Sequence, residues 1–390
     1  MRLARQLSIP LIAITLLISG CVSAPQQNAN ENAPRNNTGA GGRVRIGFSM
    51  DTLKEERWQR DKELVEARAR ELGADLDVQV ANGDDAVQRN QAESMLTKGV
   101  DVLIVAPHNG EAAAAIVEAA HRQRIPVISY DRLIKNSDVD LYVSHQVEKM
   151  GEMQARYAIE HAPKGNYVLI GGSQTDNNAI LLRKGQMNIL QPVIDRGDIK
   201  VISNQFAREW LASEALRITE DAMTKTGGDI QAVVASNDGT AGGAVQALGD
   251  RAKSVIVTGQ DAQLDAVQRI VEGRQSMTIY KQIKPLAYSA VESAIKLARG
   301  EKPEAADRVN NGKIDVPSIL QEPIAVDKNN VVQTVIKDGY HKMEDVYKNV
   351  PRDQWPQTTA QVRTPGAENN FVLALLLSLR LDARELLLAF

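Results

Sequence analysis

The chain has 390 residues, 43% of them hydrophobic and 24% charged, with a net charge of −3. This is the composition of a globular protein with room for two ordinary domains, and the slight acidic excess argues against a basic nucleic-acid binder. The one cysteine, Cys21, excludes an intramolecular disulfide and any multi-cysteine metal site. Aromatic residues make up only 4%, and three are Trp, so where each Trp falls carries information.

Residues 1–20 read as a signal peptide, with Arg2 and Arg5 ahead of an apolar core at 9–18 that is too short to span a bilayer. Its end, Ile18-Ser19-Gly20-Cys21, resembles the lipobox of bacterial lipoproteins. That resemblance implies removal of the leader and lipidation of Cys21, which would tie the protein to the outer side of a cell membrane. Residues 21–42, rich in Asn, Ala, Pro, Gln and Gly, have little apolar surface to bury and read as a flexible tether.

From residue 43 the pattern alternates between strand and helix. Strand 43–50 leads to a helix at 56–72 that Gly73 ends, then strand 76–80, helix 85–98 ended by Gly99, and the nearly all-apolar strand 100–106. Helix 110–122 follows, then strand 126–129 and Tyr130-Asp131-Arg132. A second run continues with strand 141–144, helix 147–161, strand 166–170, helix 178–193 and strand 199–204. Trp210 opens a helical run to 226, and strands at 232–236, 255–258 and 276–280 alternate with helices at 240–248, 265–272 and 285–299. Short connections between strand and helix predict an α/β fold of two doubly wound parallel-sheet blocks. In such sheets ligands bind beyond the carboxyl ends of the strands. Asp131 and Arg132 stand at such an end, either as a hydroxyl-binding pair or as a salt bridge closing a loop.

No P-loop or nucleophile elbow is present, and Gly39-Ala40-Gly41-Gly42 lies in the tether rather than after a strand. The five His (His108, His121, His145, His161, His341) have no metal-ligand spacing. No catalytic residue, metal or cofactor is therefore expected. Beyond about 342 the chain reads as a C-terminal extension, 343–390, irregular and Pro-bearing to 368 with an apolar run at 371–379. Its role is open.

Taken in order, a set of strings resembles the sugar-binding proteins of bacterial ABC importers, in the two-lobed ribose-binding class. They are Glu56-Arg57-Trp58-Gln59, Ala81-Asn82-Gly83, Tyr130-Asp131-Arg132, Gly171-Gly172-Ser173 with Asp176-Asn177-Asn178-Ala179, Ser236-Asn237-Asp238, Gly259-Gln260-Asp261-Ala262, Tyr280-Lys281 and Asn310-Asn311-Gly312. The resemblance implies a periplasmic-binding-protein-like type I fold. One lobe would hold 43–145 plus 284–321 and the other 146–283 plus 322–342, joined by a three-segment hinge with the ligand between them. It implies a monosaccharide ligand, with D-xylose first and ribose, arabinose or glucose as alternatives. It also implies ABC permease subunits as partners and a monomeric state; a sensor subunit for a membrane kinase or chemoreceptor would share the same pocket.

Carried over by position, the first lobe would contribute Arg57, Trp58, Asp131 and Arg132. The second would contribute Asn178 (with Asn177 as its equal), Trp210, Asn237, Asp261 and Lys281. Planar side chains with two polar atoms suit adjacent hydroxyls, and a buried hydroxyl left unpaired costs about 1–3 kcal/mol. Asn237 and Asp261 could equally cap the helices that follow them. Asp238 is expected to cap or brace while Asn237 touches ligand. Removing the Asp131 side chain is expected to abolish binding with little change in stability.

Overall fold

The computed structural model describes residues 42–356, all within one compact unit of the chain. The signal segment, Cys21, nearly all of the tether and the apolar run at 371–379 lie outside the described residues.

The first run comprises β1 (Arg45–Met50), α1 (Glu56–Glu71), β2 (Asp75–Val80), α2 (Asp85–Lys98), β3 (Val102–Ala106), α3 (Ala114–Arg122), β4 (Val127–Tyr130) and β5 (Leu141–His145). The second comprises α4 (Val147–His161), β6 (Gly165–Gly171), α5 (Asn177–Asp195), β7 (Ile199–Phe206), α6 (Ala212–Thr226), β8 (Ala232–Ala235), α7 (Asp238–Leu248), β9 (Ile256–Val257), α8 (Leu264–Val271) and β10 (Thr278–Tyr280). The remaining described residues form α9 (Ile283–Ala298), β11 (Asp307–Asn310), β12 (Asp315–Gln321), β13 (Ile324–Val326) and α10 (Met343–Val346), with short turns between and after them. Local chemistry sets several of these limits. The Asp84 carboxylate accepts the Val87 amide at 2.9 Å to start α2, and Gly99, at φ 83°, ends it in the left-handed conformation that glycine adopts without strain.

Strand order in the first sheet is β11-β12-β5-β4-β3-β1-β2, and in the second β7-β6-β8-β9, with the β10-β13 pair joined to it by a bridge from Gln260 to Ile279. Pairing is parallel apart from β11 on β12 and β10 on β13. Both faces of each sheet are covered, so central strands are apolar throughout. Ile46, Phe48 and Met50 of β1 pack with Val65 of α1 and Leu286 and Val291 of α9. Leu103 and Val105 of β3 turn the other way, onto Met95, Ile116 and Val117. In the second sheet Val168 and Ile170 meet Ile218 and Val245, while Tyr167 and Leu169 meet Leu190 and Val193. Strand order reverses between β1 and β3 and between β6 and β8, the switch points where open sheets leave a crevice.

The chain passes between the two sheets three times, from β5 to α4, from β10 to α9 and from β12 to β13. The first and third crossings are tied by the Gln146 amide, which donates to the Gln321 carbonyl at 3.1 Å.

Four expectations are corrected. The helix expected from 110 starts at Ala114, because the Asn109 side chain accepts the amides of Glu111 and Ala112 in a turn. Trp210 does not open a helix: it closes a short 3₁₀ turn, Arg208–Trp210, in which Glu209 (φ 52°) and Trp210 (φ 56°) are both left-handed. The strands β11, β12 and β13 lie in a region where no strand was expected. Finally, residues 343–356 are not irregular throughout. Val346 and Tyr347 bury against Val267 and Val331, Trp355 packs on the same cluster, and the Gln268 amide donates to the Asp345 carbonyl at 2.8 Å.

Candidate binding site

In the first lobe the site grows from the ends of β1 and β4 and the first turn of α1. Asp131, just past β4, is left-handed at φ 59°, a conformation that Asp tolerates better than most residues. Its backbone is held there. The Ser144 and Tyr142 hydroxyls donate to its carbonyl at 2.6 and 2.9 Å, and its amide donates to the Val143 carbonyl at 2.8 Å. The carboxylate accepts Arg57 Nη1 at 2.6 Å and lies 3.6 Å from Lys281 Nζ. Arg57 in turn forks onto Asp61, at 3.0 and 3.2 Å, and the Tyr130 hydroxyl donates to the same carboxylate. Burial alone would raise the Asp131 pKa, but the Arg57 and Lys281 cations outweigh it and hold this group well below the usual carboxylate range.

Arg132 joins the lobes. Its Nη1 donates to Asp51 Oδ2 at 2.6 Å and to the Pro107 carbonyl at 3.2 Å, and its Nε lies 2.9 Å from Asp176 Oδ2 in the second lobe. Burial works against the cation, yet Asp176 and Asp51 raise its pKa above the ordinary arginine value. The Arg57 and Arg132 guanidiniums stand 4.1 and 5.1 Å from the Trp58 ring, which they fix by cation–π contact.

The second lobe contributes helix caps and turns. Asp176 caps α5 by accepting the Asn178 amide at 2.9 Å, and this sets Asn178 to donate to Asp131 Oδ1 at 3.2 Å and to its carbonyl at 3.1 Å. Asn237 caps α7: its Oδ1 accepts the Thr240 amide at 2.9 Å in a capping box. Asp238 braces instead, accepting Gln275, Gln263 and Thr278 at 2.9, 3.0 and 2.9 Å. Asp261, at φ 99°, pairs with Lys281 at 3.0 Å. Trp210 stands where the backbone of Gly172 lets it: a Cβ on Gly172 would overlap the indole.

These groups line one small cavity between the lobes. Arg57, Trp58, Asp131, Arg132, Asn178, Trp210, Asn237, Asp261 and Lys281 all reach it. Asn177 does not; it lines a separate depression with Asn109, Lys135 and Ile180, so it is not the equal of Asn178. Cys21 lies outside the described residues. Three further lining residues, Glu55, Asp176 and Gln260, were not singled out from sequence, though each adjoins or lies within a matching string. His145, at the end of β5, is a neutral neighbour. Burial, then the nearby Lys281 charge, pushes its pKa down to about 3.

Three lining cations face four lining carboxylates, so the site is close to neutral. Among the described residues, Glu55 Oε2, Asn178 Oδ1, Trp210 Nε1 and Gln260 Oε1 are buried without a hydrogen-bond partner. Buried polar atoms are normally paired, so these four are positioned for a ligand with both donors and acceptors. A neutral polyhydroxyl has that character, and the two Trp can cover its C–H faces.

Two doubly wound lobes, three connecting segments and a polar cavity between them define a two-lobed solute-binding protein. The chain matches the periplasmic binding protein domain over residues 46–302 and belongs to that family. It is 50% identical over 306 residues to the D-xylose-binding periplasmic protein of Haemophilus influenzae, covering 78% of this chain and 92% of that one. It is 48% identical over 305 residues to the protein of the same name from Escherichia coli K12, again with 78% and 92% covered. Among solved structures, the carbohydrate transporter solute-binding protein of Chloroflexus aurantiacus in complex with D-glucose superposes with a TM-score of 0.73. It is 33% identical, and the match covers 78% of this chain and 98% of that one. The family is extracytoplasmic, and among the described residues no helix is long and apolar enough to cross a membrane.

Proposed function

We propose that the protein captures a monosaccharide, D-xylose in the first place, between its lobes and delivers it to the permease of an ABC importer. The observation that carries this reading is the convergence of nine polar and aromatic residues from both lobes on one small, nearly neutral cavity. Sugar contacting both lobes binds the closed form better than the open one, and that difference in affinity is what drives closure. The relatives of highest identity named above favour the pentose. The protein is not an enzyme in this reading: Asp131 and Asp261 are neutralised by cations, and the site holds no activated nucleophile. Lipidation of Cys21 would keep it at the membrane beside its permease.

Calorimetry of the full chain against D-xylose, D-ribose, L-arabinose and D-glucose tests this. D-xylose should bind most tightly. Tighter binding of another sugar would reassign the ligand, and no heat with any sugar would sink the reading.

A further inference from the structure

His108 lies just beyond β3, outside the cavity, with its ring between two carboxylates. Nδ1 is 2.7 Å from Asp85 Oδ1 of its own lobe, and Nε2 is 3.0 Å from Glu209 Oε2 of the facing lobe. A neutral imidazole has one N–H and can donate to only one of them; an imidazolium donates to both. The backbone that carries the ring is held in place, since the His108 amide donates to Gln88 Oε1 at 3.0 Å. Its partner Glu209 precedes Trp210 in the left-handed turn, where neither residue is a glycine. The first lobe grips that turn twice, because Lys54 Nζ also donates to the Glu209 carbonyl at 2.6 Å. Neither His108 nor Lys54 lines the cavity, yet both hold the strained turn from which Trp210 reaches it.

We propose that His108 and Glu209 form a proton-dependent latch that fixes Trp210 against the bound ligand when the lobes close. His108 is thus a positioning residue for sugar retention. This rests on the reading of the protein as a sugar receptor that closes. The sign follows from the partners. Closure adds Glu209 to the imidazole's acceptors, so the closed form holds the proton more tightly than the open form. Burial lowers the His108 pKa, but the Asp85 and Glu209 hydrogen bonds and the nearby Asp51 carry it above the ordinary value. The latch is therefore complete below about pH 6.5, the unperturbed His value, and is lost as pH rises through the raised one. The other groups around it leave this sign unchanged. Asn109 Nδ2 donates to Asp85 at 3.3 Å, Asp51 is paired with Arg132, and Lys54 also lies 3.2 Å from Glu55.

The test uses the full chain, His108→Gln and Glu209→Gln, with D-xylose calorimetry at about pH 5.5 and about pH 8.5, either side of the range in which His titrates. For the native protein Kd should rise about fivefold with pH, a modest factor because Glu209 is partly exposed. Both variants should lose that rise. Small-angle scattering without sugar gives a second readout: the native protein should expand as pH rises, and H108Q should be equally open at both pH values. If H108Q keeps the native rise in Kd or the native expansion, the latch is overturned. If the native protein ignores sugar at both pH values, the receptor reading falls, and scattering still judges the latch.

Discussion

The two lobes build their halves of the cleft by different means. The first lobe's half is a charged floor of interlocked pairs, Asp61–Arg57–Asp131 and Asp51–Arg132, with Trp58 clamped beneath two guanidiniums. Asp131, the left-handed residue by which this lobe lines the cavity, is locked by hydroxyls from β5. The second lobe's half hangs from caps and turns, with the lining residues Trp210 and Asp261 at positive φ. Left-handed backbone costs roughly 1–2 kcal/mol per non-glycine residue, and such strain persists only where neighbours enforce it. Three of the four buried, unpartnered polar atoms at the cavity also belong to the second lobe: Asn178 Oδ1, Trp210 Nε1 and Gln260 Oε1. The difference separates two tasks. The first lobe keeps a fixed set of charges in register, and the second presents buried polar atoms that the protein leaves unpaired.

The hardest way to break this contrast is Asp131→Ala. The expectation from sequence was lost binding with an almost unchanged fold, and the structure alters the second half of it. Removing this carboxylate leaves Arg57 with Asp61 alone and Lys281 with Asp261 alone in a buried site, and breaking buried pairs costs about 3–5 kcal/mol. D131A should lose at least about 100-fold in D-xylose affinity and about 3 kcal/mol in urea denaturation, while Asp131→Asn, which tolerates the same φ, recovers part of the stability. A D131A protein as stable as the native one would mean that the floor is not held by charge.

The second lobe should break differently. Gly172→Ala puts a methyl where the Trp210 indole lies, so the turn must give. D-xylose affinity should fall about tenfold while denaturation shifts by about 1–3 kcal/mol, the cost of overpacking. Combined with Trp210→Ala, the glycine change should add nothing further to the loss of affinity, because contacting residues are not additive. Full additivity in that cycle would show that Gly172 acts elsewhere.

Much of the first lobe was legible because its signals are local. Asp84 and Gly99 mark the ends of α2, the apolar run of β3 marks a strand covered on both faces, and Asp131 and Arg132 stand at a strand end. The second lobe was legible in its elements but less so in its geometry. Asn177 and Asn178 are alike as residues, and only the Asp176 cap, by fixing the helix phase, decides which faces the cavity. Nothing in Arg208-Glu209-Trp210 announces left-handed backbone, since no glycine is there and the side chains that contact the turn, Lys54 and His108, come from the other lobe. The β11–β12 hairpin has a polar edge strand and carries Pro317, so alternation alone does not reveal it. The packing of Tyr347 and Trp355 depends on residues far away in sequence.

The smallest effect expected concerns Asp238, which holds the second lobe's cap region without reaching the cavity. Burial is the main influence on it and raises its pKa to about 8, against the partial opposition of Arg269. Its ordinary value in an unfolded chain is about 3.9. The folded state therefore prefers the protonated group. The stability this brings is fully present below the unfolded pKa and is lost as pH rises through the folded one, near 8. Thermal denaturation of the native protein should show Tm declining between about pH 4 and about pH 8, where the folded state keeps a proton that the unfolded chain has lost. Asp238→Asn cannot ionise and keeps one acceptor oxygen, enough for Gln263 and Thr278 but not for Gln275, so it should start less stable and its decline over that range should be shallower. The same variant should leave the Arg57–Asp131–Asp61 floor untouched, and with it the acid limb of the curve. A D238N protein with the native slope would place the ionisation elsewhere and return Asp238 to a purely neutral bracing role.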